Sequence, residues 1–249
     1  PVNLDDYPPF AVEHKKFGPI EITRGCPFGC YFCQTWCMFG KAYRHRSIDK
    51  IKKWAEIMFE HGLKDIRFIS PNAFAYGSEK RPDARKIERL LSNIKSIGFR
   101  VFLGSFPSEV RPEHVTEDLL EMLKQYVSNK IIIIGAQSGS ERILHACNRG
   151  HSTSDVYDAV EIALKVGFKP HVDFIFGLPG EKKEDRKKSL RMMKDLIKLG
   201  AKPHIHFFMP LPGTVFAGKE PAWLDDETKK EINRMISTGL AYGNWASQQ

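Results

Sequence analysis

The feature that most constrains this chain is a repeat of amphipathic helix, glycine and short apolar run. His61-Gly62, Ile97-Gly98, Val166-Gly167 and Leu199-Gly200 each close an amphipathic stretch. Short apolar runs follow at 66–69, 101–103, 172–176 and 205–208. Glycine just past a helix supplies the left-handed residue that stops it. The glycines lie 36, 69 and 33 residues apart, and the double interval holds one more unit, a helix over 116–127 and a strand over 131–134. With a first strand at 20–23 there are six strands, interleaved with helices over 48–61, 84–97, 116–127, 153–166 and 184–199. In the last of these Leu190, Met193, Leu196 and Ile197 have helical spacing.

Strands alternating with helices at this period mean βαβ units and a parallel sheet. Right-handed crossovers bring all strand C-terminal ends to one rim, where such folds place their sites. Six units are fewer than the eight of a closed barrel. The expected class is α/β, a partial (β/α)6 TIM-like barrel with a mostly parallel sheet over residues 18–215. Residues 1–17, with Asp5-Asp6-Tyr7-Pro8-Pro9-Phe10, suit an extended linker. Residues 216–249 break the repeat; a helix near 226–239 and the run from Tyr242 suit a terminal packing element or the start of a further unit.

The 249 residues, 42% hydrophobic and 27% charged, are ample for one globular α/β domain. No apolar run approaches the 18 or so residues that a membrane span needs, and the polar start is no signal peptide. A first residue of Pro rather than Met fits a portion of a longer chain. Lysine and arginine number 38 against 30 acidic residues, a net charge of +8. That balance is compatible with nucleic acid but does not indicate it, because lysine-rich solvated helices produce the same excess. The five cysteines, an odd number with four inside twelve residues, argue against a disulfide framework and for a reducing, cytoplasmic setting.

Those cysteines carry the chemistry. Cys26, Cys30 and Cys33 lie in the loop after the first strand, within eight residues. A [4Fe–4S] cube normally takes four cysteines, so three leave one iron open. An open coordination position marks a reactive metal site. Zinc is the competing occupant; it wants four ligands, and only Cys37 is near enough to complete a set.

The C-x3-C-x2-C loop, with the aromatic Phe32 before its last cysteine, resembles that of the radical S-adenosylmethionine (radical SAM) superfamily, whose partial barrel matches the six units here. The resemblance implies that Cys26, Cys30 and Cys33 hold a [4Fe–4S] cluster and that the methionyl end of SAM chelates the fourth iron. It implies reductive cleavage of SAM to methionine and a 5′-deoxyadenosyl radical, with a ferredoxin- or flavodoxin-like reductant. Where the family often has Gly-Gly-Glu after its second strand, this chain has Ser70-Pro71-Asn72, a departure; Ser70 and Asn72 are the polar groups at that end. Gly135-Ala-Gln-Ser-Gly-Ser-Glu-Arg142 is similar to the segment that holds SAM in methylthiotransferases, which points to Gln137 and Ser138. Gly177-Leu-Pro-Gly-Glu181 resembles the adenine-side turn, bringing in Gly177 and Leu178, and Ser105 is a further SAM contact.

Several residues have plainer readings. Gln and Ser at a strand-to-helix turn are often caps. Cys37 suits a buried small hydrophobe better than a substrate-side thiol. Cys147 suits a structural thiol, and Arg149 either a SAM carboxylate partner or a structural role. The basic run Lys41-Ala-Tyr-Arg-His-Arg46 precedes the helix N-cap Ser47. Positive charge is unfavourable there, so it suits an anionic substrate group or solvated charge. His204 and His206 alternate on a strand and share a face, as a core pair or as substrate-pocket residues.

Leu4–Phe10, Thr23-Arg-Gly-Cys26 and Tyr43-Arg-His-Arg-Ser47 resemble the branch that carries an N-terminal cobalamin-binding domain, a domain not contained in these 249 residues. That likeness implies cobalamin as a cofactor and methyl transfer as the reaction. The alternatives are a methylthiotransferase acting on RNA or protein, suggested by Gln137–Ser140 and Asn148–His151, and a non-catalytic iron–sulfur electron-transfer protein. Substrate choice in this fold lies in loops and appended domains, and the sequence carries no recognisable substrate reader.

Overall fold

Helix and strand boundaries follow the local chemistry closely. The computed structural model describes residues 2–248. In chain order these form β1 (Ile20–Glu21), β2 (Thr23–Arg24), α1 (Thr35–Phe39), β3 (Arg44–His45), α2 (Ile48–Glu60) and β4 (Asp65–Ile69). There follow α3 (Ala84–Lys95), β5 (Arg100–Phe102), α4 (Glu117–Tyr126), β6 (Ile131–Gln137), α5 (Glu141–Ala146) and α6 (Thr153–Val166). The last elements are β7 (Lys169–Phe176), α7 (Lys183–Leu199), β8 (Lys202–Phe207) and α8 (Asp226–Ser237). Helix starts are capped by Ser47, Asp83, Thr116, Ser152 and Asp225, whose side-chain oxygens accept from backbone N–H groups of the first turn. The four repeat glycines, Gly62, Gly98, Gly167 and Gly200, all have positive φ just past their helices.

The sheet is parallel and sequential, β1-β4-β5 and then β6-β7-β8. The two halves meet where Ile133 N donates to Gly104 O at 2.8 Å and where Val110 bridges Ile134. The Asn129 side chain brackets Leu103 there, accepting from its N–H and donating to its carbonyl. One face of each strand of the parallel sheet enters the main apolar core, which includes Ile20, Phe68, Val101, Ile134, Phe174 and Phe207 and packs against the helices. This is a partial TIM-type barrel, and its strand ends share one rim.

Three details differ from the sequence expectations. The strand at 20–23 is divided: β1 pairs with β4, while β2 turns away to pair antiparallel with β3. That hairpin lifts the cysteine loop off the sheet. The N-terminal segment is packed rather than extended, with short 3-10 turns at Leu4–Asp6 and Val12–His14 and with Leu4 buried. Arg46, almost fully buried, clamps it by donating to the carbonyls of Leu4, Tyr7 and Glu21. The basic run is therefore structural: Arg44 donates to Phe39 O, and Lys41 lies over the Trp36 ring. At the other end, Tyr242 pairs beside β8, with Ile205 N donating to its carbonyl at 2.8 Å.

Candidate active site

The cysteine loop, between β2 and β3, is held by its own backbone. Gly25 sits at φ +85°, and a Cβ there would lie 2.1 Å from Ala42 O, so no other residue fits. Cys26 N donates to Gly40 O at 3.0 Å, and Trp36 Nε1 donates to Cys30 O at 2.8 Å. Across the rim, Asn148, itself left-handed at φ 53°, donates from Nδ2 to the carbonyls of Phe28 and Gly29. Tyr31 N donates to Cys147 O. The loop is anchored on both sides before any metal binds.

Its electrostatics favour an anionic occupant. Burial pushes the Cys26 and Cys33 thiols up, so their ionised form needs a cation beside it. Two guanidiniums reach the Cys30 sulfur, Arg149 Nη1 at 3.5 Å and Arg111 Nη1 at 3.9 Å. Arg111 lies 3.6 Å over the Phe28 ring and pairs with Glu113 at 2.6 Å. Arg149 also donates to Gly135 O at 2.7 Å. Cys147 is buried, its thiol pushed up to about 12 mainly by desolvation, so it is an inert packing residue. The Cys37 thiol is turned onto the Cys33 carbonyl, 3.7 Å away.

The remaining rim residues differ in how far their polar atoms are engaged. Ser70 Oγ donates to Asn72 O, Asn72 Oδ1 accepts from Arg111 N, and Asn72 Nδ2 meets His114 Nδ1 at 2.7 Å. Those two side chains knit loops together. Gln137 stands at φ 70°, unusual for a non-glycine residue, at the bulge ending β6, and its amide donates to Glu109 at 3.3 Å. Ser138 is fully buried and caps Ser140 N. Gly177 N donates to Glu181, while Leu178 and Phe32 pack in a small apolar cluster with Ile143, Cys147 and Phe208. Ser105 Oγ, Tyr43 OH, Arg111 Nη2 and Arg149 Nε are buried without a partner among the described residues. Tyr43 stands beside Cys26 and Asn72. The orphaned polar atoms of Tyr43, Arg111 and Arg149, residues that stand beside the thiols, fit a polar, anionic ligand set there.

The inner face of the second half carries groups that the sequence reading missed. Glu109, in the loop after β5, lies against Asp173 of β7; burial pushes both carboxyls up. The signal for Asp173 was legible, since His171, Asp173 and Ile175 alternate with the apolar Val172, Phe174 and Phe176. Glu109, Arg111 and Tyr43 lie in loops, where periodicity says nothing.

The chain belongs to the radical SAM superfamily, whose sequence model matches residues 20–193. It is 28% identical over 188 residues to a Pyrococcus horikoshii protein described as the uncharacterized methyltransferase PH0819, covering 75% of this chain and 39% of that one. It is 27% identical over 191 residues to the ribosomal protein uS12 methylthiotransferase RimO of Thermosipho melanesiensis, covering 74% of this chain and 43% of that one. The chain thus spans about two fifths of the length of the curated relatives it matches. Among solved structures, the radical SAM methyltransferase TsrM of Kitasatospora setae, with cobalamin and a [4Fe–4S] cluster bound, superposes with a TM-score of 0.63 at 16% identity. That match covers 80% of this chain and 38% of that one, and it shows the fold. Among the described residues no helix is long and apolar enough to cross a membrane.

Proposed function

We propose that this domain is the catalytic barrel of a radical SAM enzyme that transfers a methyl group together with cobalamin carried outside these residues. The observation that carries the reading is the cysteine loop, three thiols at one strand end with two guanidiniums, one of them buried, against the central sulfur. Cys26, Cys30 and Cys33 would hold the cluster, and Arg111 and Arg149 would offset its thiolate charge. Ser105, Tyr43 and Gln137 offer polar atoms to SAM. Phe32, Ser70, Asn72, Ser138, Gly177 and Leu178 shape the walls that orient it and keep water out. Bound there, the cluster and SAM supply one-electron cleavage of the sulfonium, with electrons from a small reductant of ferredoxin or flavodoxin type.

Anaerobic reconstitution with iron and sulfide, followed by dithionite and SAM, tests this. A brown protein forming 5′-deoxyadenosine or S-adenosylhomocysteine is expected, with added hydroxocobalamin, reduced to its methyl-accepting cob(I)alamin state, raising the latter. Zinc held by the three sulfurs, or neither product, overturns it; a brown protein with neither product would be an electron carrier. A second reading, methylthio transfer to RNA or protein, is favoured by the likeness to RimO. The same assay separates the two, because methylthio transfer needs added sulfide and no cobalamin.

A further inference from the structure

The parallel register of β7 and β8 sets Asp173 directly beside His204, and His206, two residues on, falls on the same face. Asp173 Oδ1 lies 3.0 Å from His204 Nδ1, which lies 3.1 Å from His206 Nε2. A neutral imidazole nitrogen has either one proton or one in-plane lone pair. In either tautomer His204 Nδ1 therefore makes at most one full hydrogen bond, yet two partners converge on it. A cation between the three atoms removes the conflict, because each then offers a lone pair to a common point. All three atoms lie within 4.8 Å of one another. Adjacent ligands of a six-coordinate ion bound at about 2.1 Å are about 3 Å apart, the spacing of His204 Nδ1 from each of its two partners.

We propose that Asp173, His204 and His206 bind a divalent first-row transition ion, zinc or ferrous iron, at a site separate from the cysteine loop. Two imidazoles and one carboxylate leave coordination positions open, the arrangement of ions that polarise a substrate oxygen. Supporting groups are in place. The Tyr242 ring stacks on His204, with centroids 4.3 Å apart and an interplanar angle of 6°. Tyr242 is positioned in turn by His171 Nδ1, 2.8 Å from its hydroxyl, and by its backbone pairing with Pro203 and Ile205. Such outer contacts orient metal-binding histidines. Glu109, against Asp173, supplies a second carboxylate to balance a divalent charge. His206 lines a cavity of about 190 Å³ together with Phe32 of the cysteine loop and Phe208, so the site has open space beside it. The C-terminal extension, through Tyr242, completes this site.

Ion binding at this site does not depend on the SAM chemistry, so the ion itself can be measured. The cluster-loaded chain is incubated anaerobically with Zn²⁺, desalted, and analysed for metals, melting temperature and zinc K-edge X-ray absorption. One zinc per chain is expected, with a shell of nitrogen and oxygen only and a raised melting temperature. Asp173→Asn and His206→Ala are each expected to weaken zinc binding about 100-fold, with iron content and far-UV circular dichroism unchanged. Absence of stoichiometric zinc, sulfur in its shell, or equal affinity in the variants overturns the proposal. Absorption on the unaltered protein decides the ligand shell even where a variant fails to fold.

Discussion

The two halves of the barrel have the same architecture, three parallel strands, and use it in opposite ways. In the first half β1, β4 and β5 are 2, 5 and 3 residues long, and the backbone leaves the ladder early. Its loops are tied by side chains: Ser108 Oγ accepts from Ser70 N and donates to Phe68 O, both at 2.9 Å, while Arg46 gathers three carbonyls. In the second half β6, β7 and β8 run 7, 8 and 6 residues in register, with one bulge at Gly135–Gln137. There the ladder satisfies the backbone, and the inner face is free to carry Asp173, His204 and His206. An irregular loop can wrap a cluster only if side chains satisfy its backbone. A periodic array of polar groups needs an unbroken ladder behind it.

The largest effect is expected at the cysteines. Cys30→Ala is expected to abolish cluster assembly, with iron falling to background after reconstitution, while the melting temperature of the apo-protein hardly changes because the loop is anchored elsewhere. Arg149 spans both halves, touching Cys30 and Gly135 and facing Glu109. Arg149→Met should cost about 2 kcal/mol in urea unfolding, since it leaves the buried Gly135 carbonyl without that donor, and should lower cluster retention as well. Ser108→Ala sharpens the contrast: it orphans a buried N–H and a carbonyl in the first half alone, for about 2 kcal/mol.

The smallest expected effect lies behind the second half. Burial would raise the Asp185 carboxyl, but hydrogen bonds from Arg142, Ser140 and Lys182 N outweigh it and hold it down at about 2. An unfolded aspartate titrates near 3.9. The folded pKa is depressed, so this stabilisation is present above about pH 4 and is lost as pH falls toward 2. Asp185→Asn should cost about 1 kcal/mol at neutral pH, Arg142 being half exposed, and should flatten that part of the acid limb in melting temperature against pH.

Much of the frame was legible because it is local. Helix caps such as Ser47 and Thr116, terminating glycines such as Gly167 and Gly200, and period-2 apolar runs announce themselves within a few residues. Helix boundaries fell within about two residues of expectation. The division of the first strand did not announce itself, because only pairing with Arg44 and His45, some twenty residues away, turns Thr23 and Arg24 off the sheet. Nor did the role of the basic run: Arg46 looks like surface charge in sequence and is in fact the buried clamp of the N-terminal segment.

By itself the sequence determined the class of fold, six βα units, and the chemistry of the loop after the first strand, since three thiols in eight residues have few uses. Only the tertiary structure decided which polar groups meet. Arg111 and Arg149 reach Cys30 from 81 and 119 residues away. Asp173 meets His204 only because two parallel strands lie in one register. Periodicity assigns a residue to a face; the partner across that face is chosen by register and loop closure, which depend on the whole chain.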